Sequence, residues 1–233
     1  MSGVHKTNPP LRQIRSYVRR EGRITAAQRR ALSELWPRFG VDDGGSQLDL
    51  AALFGRDAPV ILEIGFGDGQ ALHTMAAASP ERNYLGVEVH RPGIGRLLQT
   101  LDAQAITNVR VICDDARSVL VSRIGDKQLS GVHLFFPDPW PKARHHKRRL
   151  LQPAFLEILH SRLIVGGYLH AVTDWEPYAQ QMMTVLTGAQ GFENCAGPGL
   201  FASRSEDRPY TKFERRGQRL GHDVWELIFR RSV

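Results

Sequence analysis

Residues 60–69 read VILEIGFGDG: an apolar run of strand length leads directly into a turn that contains three glycines. Glycine lets a turn close tightly and lets the backbone approach a ligand. The residues that follow, QALHTMAAAS (70–79), are predicted to form a helix. A strand, a glycine-rich turn and a helix in succession are typical of a ligand-binding α/β domain with a parallel sheet.

The same alternation of strand and helix continues along the chain. Short apolar runs predict further strands at 83–89, 109–116, 131–136 and 167–173, and two last strands at 191–196 and 223–230. Helices are predicted at 93–104, at 150–163 with Pro153 in the first turn, and from the end of the 167–173 strand to about Thr187. We therefore predict an α/β fold with a doubly wound, mostly parallel sheet of seven strands.

Upstream of the first strand, TAAQRRALSELW (25–36) has apolar side chains near helical spacing. Thr25 is predicted to cap this helix, and Pro37 is predicted to end it. Residues 1–24 show no clear period. We expect two parts: a flexible basic N-terminal arm, residues 1–24, and one α/β domain, residues 25–233.

The positive charge of the chain is concentrated near its N-terminus. The full sequence has a net charge of +7, and residues 1–30 hold eight Lys or Arg side chains against Glu21 alone. The rest of the chain is therefore neutral overall, with local basic clusters. This distribution favours a polyanionic partner, and a solvated, disordered tail is the alternative on charge alone.

Cysteine and apolar content bear on the compartment. Cys113 and Cys195 have neither metal-site spacing nor a disulfide framework, which indicates a reducing compartment, and we predict a cytoplasmic protein. No apolar run approaches about 18 residues and the N-terminus has no apolar signal core, so no membrane partner is expected. A mitochondrial transit peptide is the alternative for the Arg-rich start. The histidines lack metal-ligand spacing, so no metal is predicted, and no obligate protein partner is inferred.

Acidic side chains lie at the ends of three successive predicted strands. Glu63 ends the first strand beside the glycine turn, Glu88 ends the second, and Asp114 and Asp115 end the third. The carboxyl ends of parallel strands share one edge of the sheet, which is where open α/β sheets bind ligands. The alternatives are a polar turn residue for Glu88, a helix cap for either aspartate and a hydrogen-bonded buried acid for Glu63.

The ligand predicted at this edge is a dinucleotide or S-adenosylmethionine. Gly65, Gly67 and Gly69 have the spacing G-x-G-x-G, which differs from the G-x-G-x-x-G of dinucleotide sites. A carboxylate at Glu88 can accept hydrogen bonds from both ribose hydroxyls, and one after the third strand can accept from an adenine amine. Several carboxylates would repel a pyrophosphate but suit a sulfonium, so the residues favour S-adenosylmethionine.

Residues 136–149, FPDPWPKARHHKRR, combine a stiff loop with a dense run of cations. The three prolines restrict φ and remove backbone donors, so Asp138 and Trp140 are expected to be held in place at the same edge of the sheet. The run from Lys142 to Arg149 holds five Lys or Arg and two His. Cations at a helix N-terminus oppose its dipole, so we prefer a phosphate-binding patch over a solvated helix start.

Together these motifs resemble the bacterial tRNA (guanine-N7-)-methyltransferase family. The similar segments are SYVRREGRIT, LEIGFGDG, GVEVHRPGIG, FPDPWPKARHHKRR, TDWEPYA and TKFERRGQRLGH, so the resemblance extends from residue 16 to about residue 230. It implies an enzyme with a class I methyltransferase (Rossmann-like) fold and S-adenosylmethionine as methyl donor. It also implies tRNA as partner, with N7 of a guanosine in the variable loop as acceptor.

The resemblance further implies roles for residues at matching positions. Asp138 would be catalytic. The donor would be bound by Glu63, Gly65, Gly67, Glu88, Asp115 and Asp138. The substrate would be bound by Lys142, Asp174, Thr211, Lys212, Phe213 and Glu214. The RNA would be contacted by Arg144, His145, His146, Lys147, Arg148 and Arg149.

Two of the motifs near the C-terminus have local alternatives, and three rival functions remain. TDWE (173–176) is also the pattern of a capping box with Thr173 as cap, and TKFE (211–214) could be an exposed polar loop. The rival functions are a methyltransferase for a small molecule, an RNA-binding protein on an inactive methyltransferase scaffold, and a nicotinamide oxidoreductase. The glycine spacing disfavours the oxidoreductase.

Overall fold

The computed structural model describes residues 16, 22–42, 44–211, 214 and 223–233. Within these residues the chain forms one seven-stranded sheet, with apolar layers on both of its faces. No helix in this part of the chain is long and apolar enough to cross a membrane. Most of residues 1–24 lie outside the described residues, so the division into an arm (1–24) and a domain (25–233) stays a prediction.

The strands confirm the predicted doubly wound sheet. They are β1 (Val60–Ile64), β2 (Asn83–Val87), β3 (Val109–Ile112), β4 (Leu129–Phe135), β5 (Leu163–Thr173), β6 (Phe192–Asn194) and β7 (Trp225–Arg231). Their order across the sheet is β3-β2-β1-β4-β5-β7-β6. Strands β1 to β5 are parallel, and β7 is antiparallel to both of its neighbours. The order reverses between β1 and β4, and such a switch point is where these sheets bind ligands.

Helices connect the strands. They are α1 (Ala26–Glu34), α2 (Trp36–Phe39), α3 (Leu50–Phe54), α4 (Gln70–Ala78), α5 (Arg91–Ala103), α6 (Ala116–Ser122), α7 (Pro153–Arg162) and α8 (Glu176–Thr187), with a 3₁₀ helix at Ala143–Arg148. Thr25 caps α1 in a capping box with Gln28, as predicted for the cap. Pro153 begins α7, where its missing N–H is not needed.

Each face of the sheet has its own apolar layer. Ile61 of β1 packs with Leu72 of α4 on one face, and its neighbour Leu62 packs with Leu156 of α7 on the other. Successive side chains of a strand point to opposite faces, so a strand covered on both faces is apolar at every position. This explains why the start of β1 reads as a continuous apolar run rather than as an alternating one.

The structure corrects two predicted boundaries. Pro37 does not end the helical segment: α1 ends at Glu34, and Pro37 lies in the first turn of the short helix α2, where proline is tolerated. The third strand ends at Ile112 rather than at residue 116, because Asp115 caps α6 and the chain must leave the sheet before it.

Thr173 is not a helix cap, so the alternative interpretation of TDWE as a capping box is wrong. Helix α8 begins at Glu176, and Trp175 occupies the cap position without a side-chain hydrogen bond. The Thr173 hydroxyl oxygen instead accepts a hydrogen bond from the backbone N–H of Trp175, with an N–O distance of 3.2 Å. Asp174 therefore lies in the loop between β5 and α8, at the carboxyl edge of the sheet.

Candidate functional site

A cavity of about 410 Å³ opens at the carboxyl edge of the sheet, at the ends of β1 to β4. It is lined by residues from each strand end, including Gly65, Gly67, Glu88, Asp114, Asp115 and Asp138. All six were singled out from the sequence, and the parallel strands bring them together as predicted. The volume falls in the range of small-molecule sites, roughly 300–1,000 Å³.

The glycine turn after β1 leaves space beside the cavity. Gly65 and Gly67 have φ values of 69° and 61°, a left-handed conformation that favours glycine. A Cβ atom added to either residue would meet no other atom within 4 Å. On its other side the turn packs tightly on α5, since a Cβ on Gly93 would lie 2.0 Å from the Gly67 carbonyl oxygen. The turn is therefore fixed by α5 and open toward a ligand.

Glu88 connects the glycine turn to the end of β2. Its Oε2 accepts a hydrogen bond from the Gly67 N–H at 2.8 Å. Its Oε1 accepts from the backbone N–H groups of Val89 and His90 at 2.7 and 2.9 Å. Each carboxylate oxygen has two lone pairs, so Glu88 is held in place by backbone and can still accept hydrogen bonds from a ligand.

The two aspartates after β3 combine a local role with a place at the cavity. Asp115 Oδ1 accepts from the Ser118 N–H at 3.0 Å and caps α6, and Asp114 Oδ1 accepts from the Asp115 N–H at 2.7 Å. Both residues also line the cavity. The helix-cap interpretation is therefore correct for Asp115, and it leaves the second carboxylate oxygen available for a ligand.

Glu63 differs from the other acids at this edge because it is buried. Its side chain is 2% exposed, it is not among the cavity-lining residues, and its Oε2 has no hydrogen-bond partner within the described residues. Burial, and to a smaller extent the charge of Glu88, raise the pKa of Glu63 to about 8. The carboxyl group is therefore protonated at neutral pH, and a nearby positive charge would favour its ionised form.

The aspartyl loop, residues 136–141, has an unusual backbone conformation. Phe136 and Trp140 have φ values of 51° and 45°, which residues with a side chain rarely adopt. Conformations of this kind cost of order 1–3 kcal/mol and cluster at functional sites. The side chain of Asp138, between them, is exposed and lines the cavity.

Hydrogen bonds from the protein interior hold both ends of the aspartyl loop. The Phe136 N–H donates to the Val172 carbonyl oxygen on β5 at 2.8 Å. The Arg149 Nε donates to the Pro139 carbonyl oxygen, also at 2.8 Å, and the guanidinium lies 4.8 Å from the centre of the Tyr178 ring on α8. Arg149 is only 3% exposed, so its observed contacts favour support of the loop, and its contact with RNA stays a prediction.

The rest of the cation run lies at the surface. Lys142, Arg144 and Lys147 are exposed at or next to the 3₁₀ helix, and the Arg148 guanidinium packs 5.0 Å from the centre of the Trp140 ring. Partial desolvation, followed by repulsion from Arg144 and the other cations, lowers the pKa of His145. A surface with this density of positive charge beside Asp138 is suited to phosphate groups.

The predicted substrate residues near the C-terminus lie at different depths. Asp174 is half-buried after β5, whereas Thr211 is 8% and Glu214 only 1% exposed. None of the three is among the cavity-lining residues. Lys212 and Phe213 lie outside the described residues. Thr211 nevertheless follows Tyr210, whose carbonyl oxygen accepts from Gln70 Nε2 at 3.4 Å, directly after the glycine turn.

Two residues at the site were missed from the sequence. Ser16 lines the cavity, and its carbonyl oxygen accepts from Trp140 Nε1 at 3.2 Å. Arg208 is fully buried and bonds the carboxylates of Glu214 and Glu226. Arg208 stands in no motif, and its partner Glu226 lies 18 positions away. Ser16 begins the segment SYVRREGRIT, but its partner Trp140 lies 124 positions away, so sequence reasoning could assign neither contact.

No group of three or more His, Cys, Asp or Glu side chains could hold a metal ion in the part of the chain that the structure describes. Cys113 and Cys195 are not joined in a disulfide, and both are exposed.

Comparisons with known proteins agree with the fold. A family model described as "Putative methyltransferase" matches residues 57–227. Among solved structures, the 16S rRNA methyltransferase KamB is similar, with a TM-score of 0.60 and 16% identity; the match covers 84% of this chain and 99% of that chain. At this identity the likeness concerns the fold. The fold and the family model together define a class I methyltransferase.

Two curated relatives narrow this class to one family. The tRNA (guanine-N(7)-)-methyltransferase of Aeromonas hydrophila is 54% identical over 221 residues, which cover 95% of this chain and 93% of the relative. That of Alcanivorax borkumensis is 52% identical over 228 residues, which cover 98% and 95%. The chain belongs to the tRNA (guanine-N7-)-methyltransferase family, and the resemblance predicted from the motifs is confirmed.

Proposed function

We propose that this chain transfers the methyl group of S-adenosylmethionine to N7 of a guanosine in the variable loop of tRNA, giving 7-methylguanosine. The observation that carries the proposal is the cavity at the switch point of the sheet, where Gly65, Glu88, Asp115 and Asp138 converge from four strands. Membership of the family supports the reaction. The exposed cations beside the aspartyl loop support a nucleic acid as the acceptor.

The residues of the cavity fit the methyl donor. Glu88 is fixed to accept hydrogen bonds from ribose hydroxyls, and Asp114 or Asp115 can accept from the adenine amine. The open space beside Gly65 and Gly67 leaves room for a ligand close to the backbone. Glu63 lies behind this turn and would ionise in response to positive charge in the cavity. When bound, S-adenosylmethionine supplies an electrophilic methyl group.

The chain's own task is to position the guanine and to exclude water. Guanine N7 carries a free lone pair at neutral pH, so no general base is needed. Holding N7 in line with the methyl carbon and the sulfur would lower the barrier by pre-organisation. The imidazole ring of guanine becomes cationic as the bond forms. Asp138, held by the aspartyl loop, would stabilise that charge, and effects of this type are worth about 3 kcal/mol.

A second role for Asp138, or for Asp174, is recognition of the guanine edge. N7 and O6 are acceptors and would repel a carboxylate, whereas N1–H and the 2-amino group are donors that a carboxylate can bind. A tRNA with inosine at the target position lacks the 2-amino group. Methylation of inosine as fast as guanosine would show that the 2-amino group is not read.

The exposed cations would bind the tRNA backbone. Lys142, Arg144 and Lys147 are the members of the run that face solvent most openly. Phosphate contacts orient a nucleic acid and make its binding salt-dependent, but they do not specify a base. Selection of one guanosine therefore depends on the shape of the tRNA. Lys212 and Phe213, implied by the family, would add substrate contacts.

The N-terminal arm, residues 1–24, is proposed to bind the tRNA and to become ordered on binding. The arm holds six of the eight Lys or Arg side chains of residues 1–30 and one acid, Glu21, so its net charge is +5. Deletion of the arm should weaken tRNA affinity and flatten its salt dependence. An unaltered salt slope in the truncated protein would count against this role.

We propose that the reaction needs neither a metal ion nor an obligate protein partner. We also propose that it takes place in the cytoplasm. Cys113 and Cys195 are exposed and not joined in a disulfide, which is compatible with a reducing compartment. The proposal that no metal ion is needed is tested by measuring activity after chelation of divalent cations. The tRNA used should stay folded in monovalent salt.

The central experiment is transfer of a labelled methyl group from S-adenosylmethionine to unmodified tRNA, followed by nucleoside analysis. We expect the label in 7-methylguanosine. A matched control is the same tRNA with 7-deazaguanosine at the target, which has a carbon in place of N7 and should take up no label. Turnover without RNA would favour a small-molecule acceptor, and RNA binding without donor binding would favour an inactive scaffold.

A further inference from the structure

Arg208 is a fully buried arginine that joins two carboxylates from different parts of the chain. Its Nε donates to Glu226 Oε1 at 2.9 Å. Its Nη1 donates to Glu214 Oε2 at 2.7 Å, and its Nη2 donates to Glu214 Oε1 at 2.8 Å. Glu214 and Glu226 are 1% and 2% exposed. The planar guanidinium therefore bonds Glu214 at both carboxylate oxygens and reaches Glu226 with the same group.

The Glu226 side of this cluster is fixed to the sheet. Glu226 lies on β7, and its Oε2 accepts from His170 Nε2 on β5 at 2.8 Å and from the Ser205 N–H at 3.2 Å. Burial alone would raise the pKa of Glu226, but hydrogen bonds from His170 and Arg208 outweigh burial and lower it. Glu226 is therefore a fixed anion that holds Arg208 in place.

The guanidinium of Arg208 also packs against the end of β4. Its carbon atom lies 6.0 Å from the centre of the Phe135 ring and 5.8 Å from the centre of the Phe136 ring. Phe136 is the left-handed residue that begins the aspartyl loop, two positions before Asp138. Arg208 therefore lies beside the aromatic side chains at the start of the aspartyl loop, from which the cavity-lining carboxylate projects.

The Glu214 side of the cluster carries the predicted substrate segment. The Glu214 N–H donates to the Thr211 hydroxyl oxygen at 3.2 Å, and Arg204 Nε donates to Glu214 Oε1 at 3.1 Å. Burial alone would raise the pKa of Glu214, but Arg208 and Arg204 outweigh burial and lower it. Both oxygens of Glu214 thus accept from arginines inside the protein.

We propose that Arg208 is a positioning residue that couples the substrate segment, Thr211 and Glu214, to the aspartyl loop. Glu214 then acts through Arg208 and does not itself contact tRNA. The inference rests on the proposed function, because it concerns how tRNA methylation is arranged. Loss of the planar fork should misplace Asp138 and the substrate segment together, while the part of the cavity formed by the glycine turn, Glu88 and Asp115, none of which Arg208 contacts, keeps its geometry.

Arg208→Lys is the conservative test, because lysine keeps the charge but cannot bond two carboxylates with a planar fork. Arg231→Lys is the matched control: Arg231 is also buried, on the same strand as Glu226, but its Nε donates to the Val233 carbonyl oxygen at the opposite edge of the sheet. Glu226→Gln serves as the second variant if Arg208→Lys does not fold.

The readouts are kcat and KM for tRNA and the Kd for S-adenosylmethionine. We expect Arg208→Lys to lower kcat/KM for tRNA by about tenfold or more, with the donor Kd within about threefold of wild type. Arg231→Lys should change neither by more than about threefold. Equal losses in the two variants would mean that Arg208 has only a structural role, and unchanged kcat/KM in Arg208→Lys would overturn the proposal outright.

A double variant tests how Glu214 acts. If Glu214 works through Arg208, the double variant Arg208→Lys with Glu214→Gln should have a kcat/KM for tRNA no more than about twofold below that of the worse single variant. Multiplied losses would mean that Glu214 contacts tRNA independently, which overturns this part of the inference.

Amide hydrogen exchange measures the coupling without any substrate. Arg208→Lys should raise exchange in peptides that cover Val132–Leu150 and Arg204–Thr211, and Arg231→Lys should not. Unchanged exchange in Val132–Leu150 contradicts the coupling. If the wild-type protein transfers no methyl group to tRNA, the proposed function fails, and the exchange result still decides whether Arg208 couples the two segments.

Discussion

The carboxylates at the donor cavity and those of the Arg208 cluster are held in opposite ways. Glu88, Asp114 and Asp115 accept hydrogen bonds from backbone N–H groups and line the cavity. Glu214 and Glu226 are buried and accept from arginine side chains. A carboxylate bonded only by backbone keeps its charge and part of its acceptor capacity for a ligand, whereas one paired with arginine is used by the protein itself. We therefore propose ligand binding for the first kind and positioning for the second.

The largest expected effect concerns the paired kind. Glu226→Gln leaves Arg208 and His170 with one anion fewer and should lower the free energy of unfolding by about 3–5 kcal/mol, the usual cost of breaking a buried pair. Urea unfolding monitored by fluorescence measures the loss. The Kd for S-adenosylmethionine should stay within about threefold of wild type. If Glu226→Gln instead loses much of its affinity for S-adenosylmethionine and keeps its stability, the distinction between cavity-lining and arginine-paired carboxylates is wrong.

Glu63 belongs to neither kind of carboxylate. Its raised pKa should make the stability of the protein depend on pH. Its pKa of about 8 exceeds the ordinary glutamate value of 4.5, so the folded chain binds a proton that the unfolded chain has lost at neutral pH. Stability should therefore fall as pH rises from about 5 toward 8. Between pH 5 and pH 7.5, the free energy of unfolding of Glu63→Gln should fall by roughly 3 kcal/mol less than that of the wild type. If plots of the free energy of unfolding against pH are parallel for the two proteins, Glu63 is not buried in its protonated state.

Asp138→Asn tests the carboxylate that lines the cavity from the aspartyl loop. The change keeps the size of the side chain and removes its charge, so kcat should fall on the order of 100-fold. The melting temperature should stay close to that of wild type because the Asp138 side chain is exposed. Single-turnover methylation of tRNA measures the chemical step. Unchanged turnover would remove Asp138 from the mechanism.

Glu88→Gln sharpens the comparison from the cavity side. The amide keeps one acceptor oxygen but replaces the other with a donor, which opposes either the Gly67 N–H or those of Val89 and His90. Donor affinity should fall about tenfold, with a smaller loss of stability than in Glu226→Gln. Calorimetric titration with S-adenosylmethionine gives the Kd. The reverse ranking, with Glu88→Gln the less stable variant, would contradict our assignment.

The smallest effects are expected from the exposed cations. Arg144→Ala and Lys147→Ala should each weaken tRNA binding a few-fold at low salt and reduce the slope of log K against log salt by about one. Filter binding over a range of salt concentrations measures both. Donor affinity is the internal control and should not change. An undiminished salt slope would mean that these side chains do not contact phosphate.

Much of the fold was accessible from local pattern. Short apolar runs marked the strands because parallel strands covered on both faces are apolar throughout, as in Val60–Ile64. The acids at 88, 114 and 115 were assigned to one edge because all parallel strands end on the same side. Boundaries failed where a short-range feature competed: Asp115 caps α6 and shortens β3, and Pro37 fits the first turn of α2.

Side-chain environment was far less accessible, because it depends on which residues folding brings together. Arg149 stands in a run of surface cations, yet it is buried against Tyr178 and the aspartyl loop. Thr173 has the sequence context of a cap but ends β5, and its hydroxyl oxygen accepts a hydrogen bond from the Trp175 N–H. Glu63 is one of the acids predicted at the ligand edge of the sheet, yet its side chain is buried.

The sequence by itself determined the order of strands and helices, the glycine turn and the presence of acids at successive strand ends, since these depend on residues close together in the chain. It also carried the family, through motifs that are themselves contiguous. Only the tertiary structure decided which carboxylates face the cavity and which are paired inside the protein. That choice depends on contacts such as Arg208 with Glu226, eighteen positions apart and on different elements, whose energy exists only once the sheet has formed.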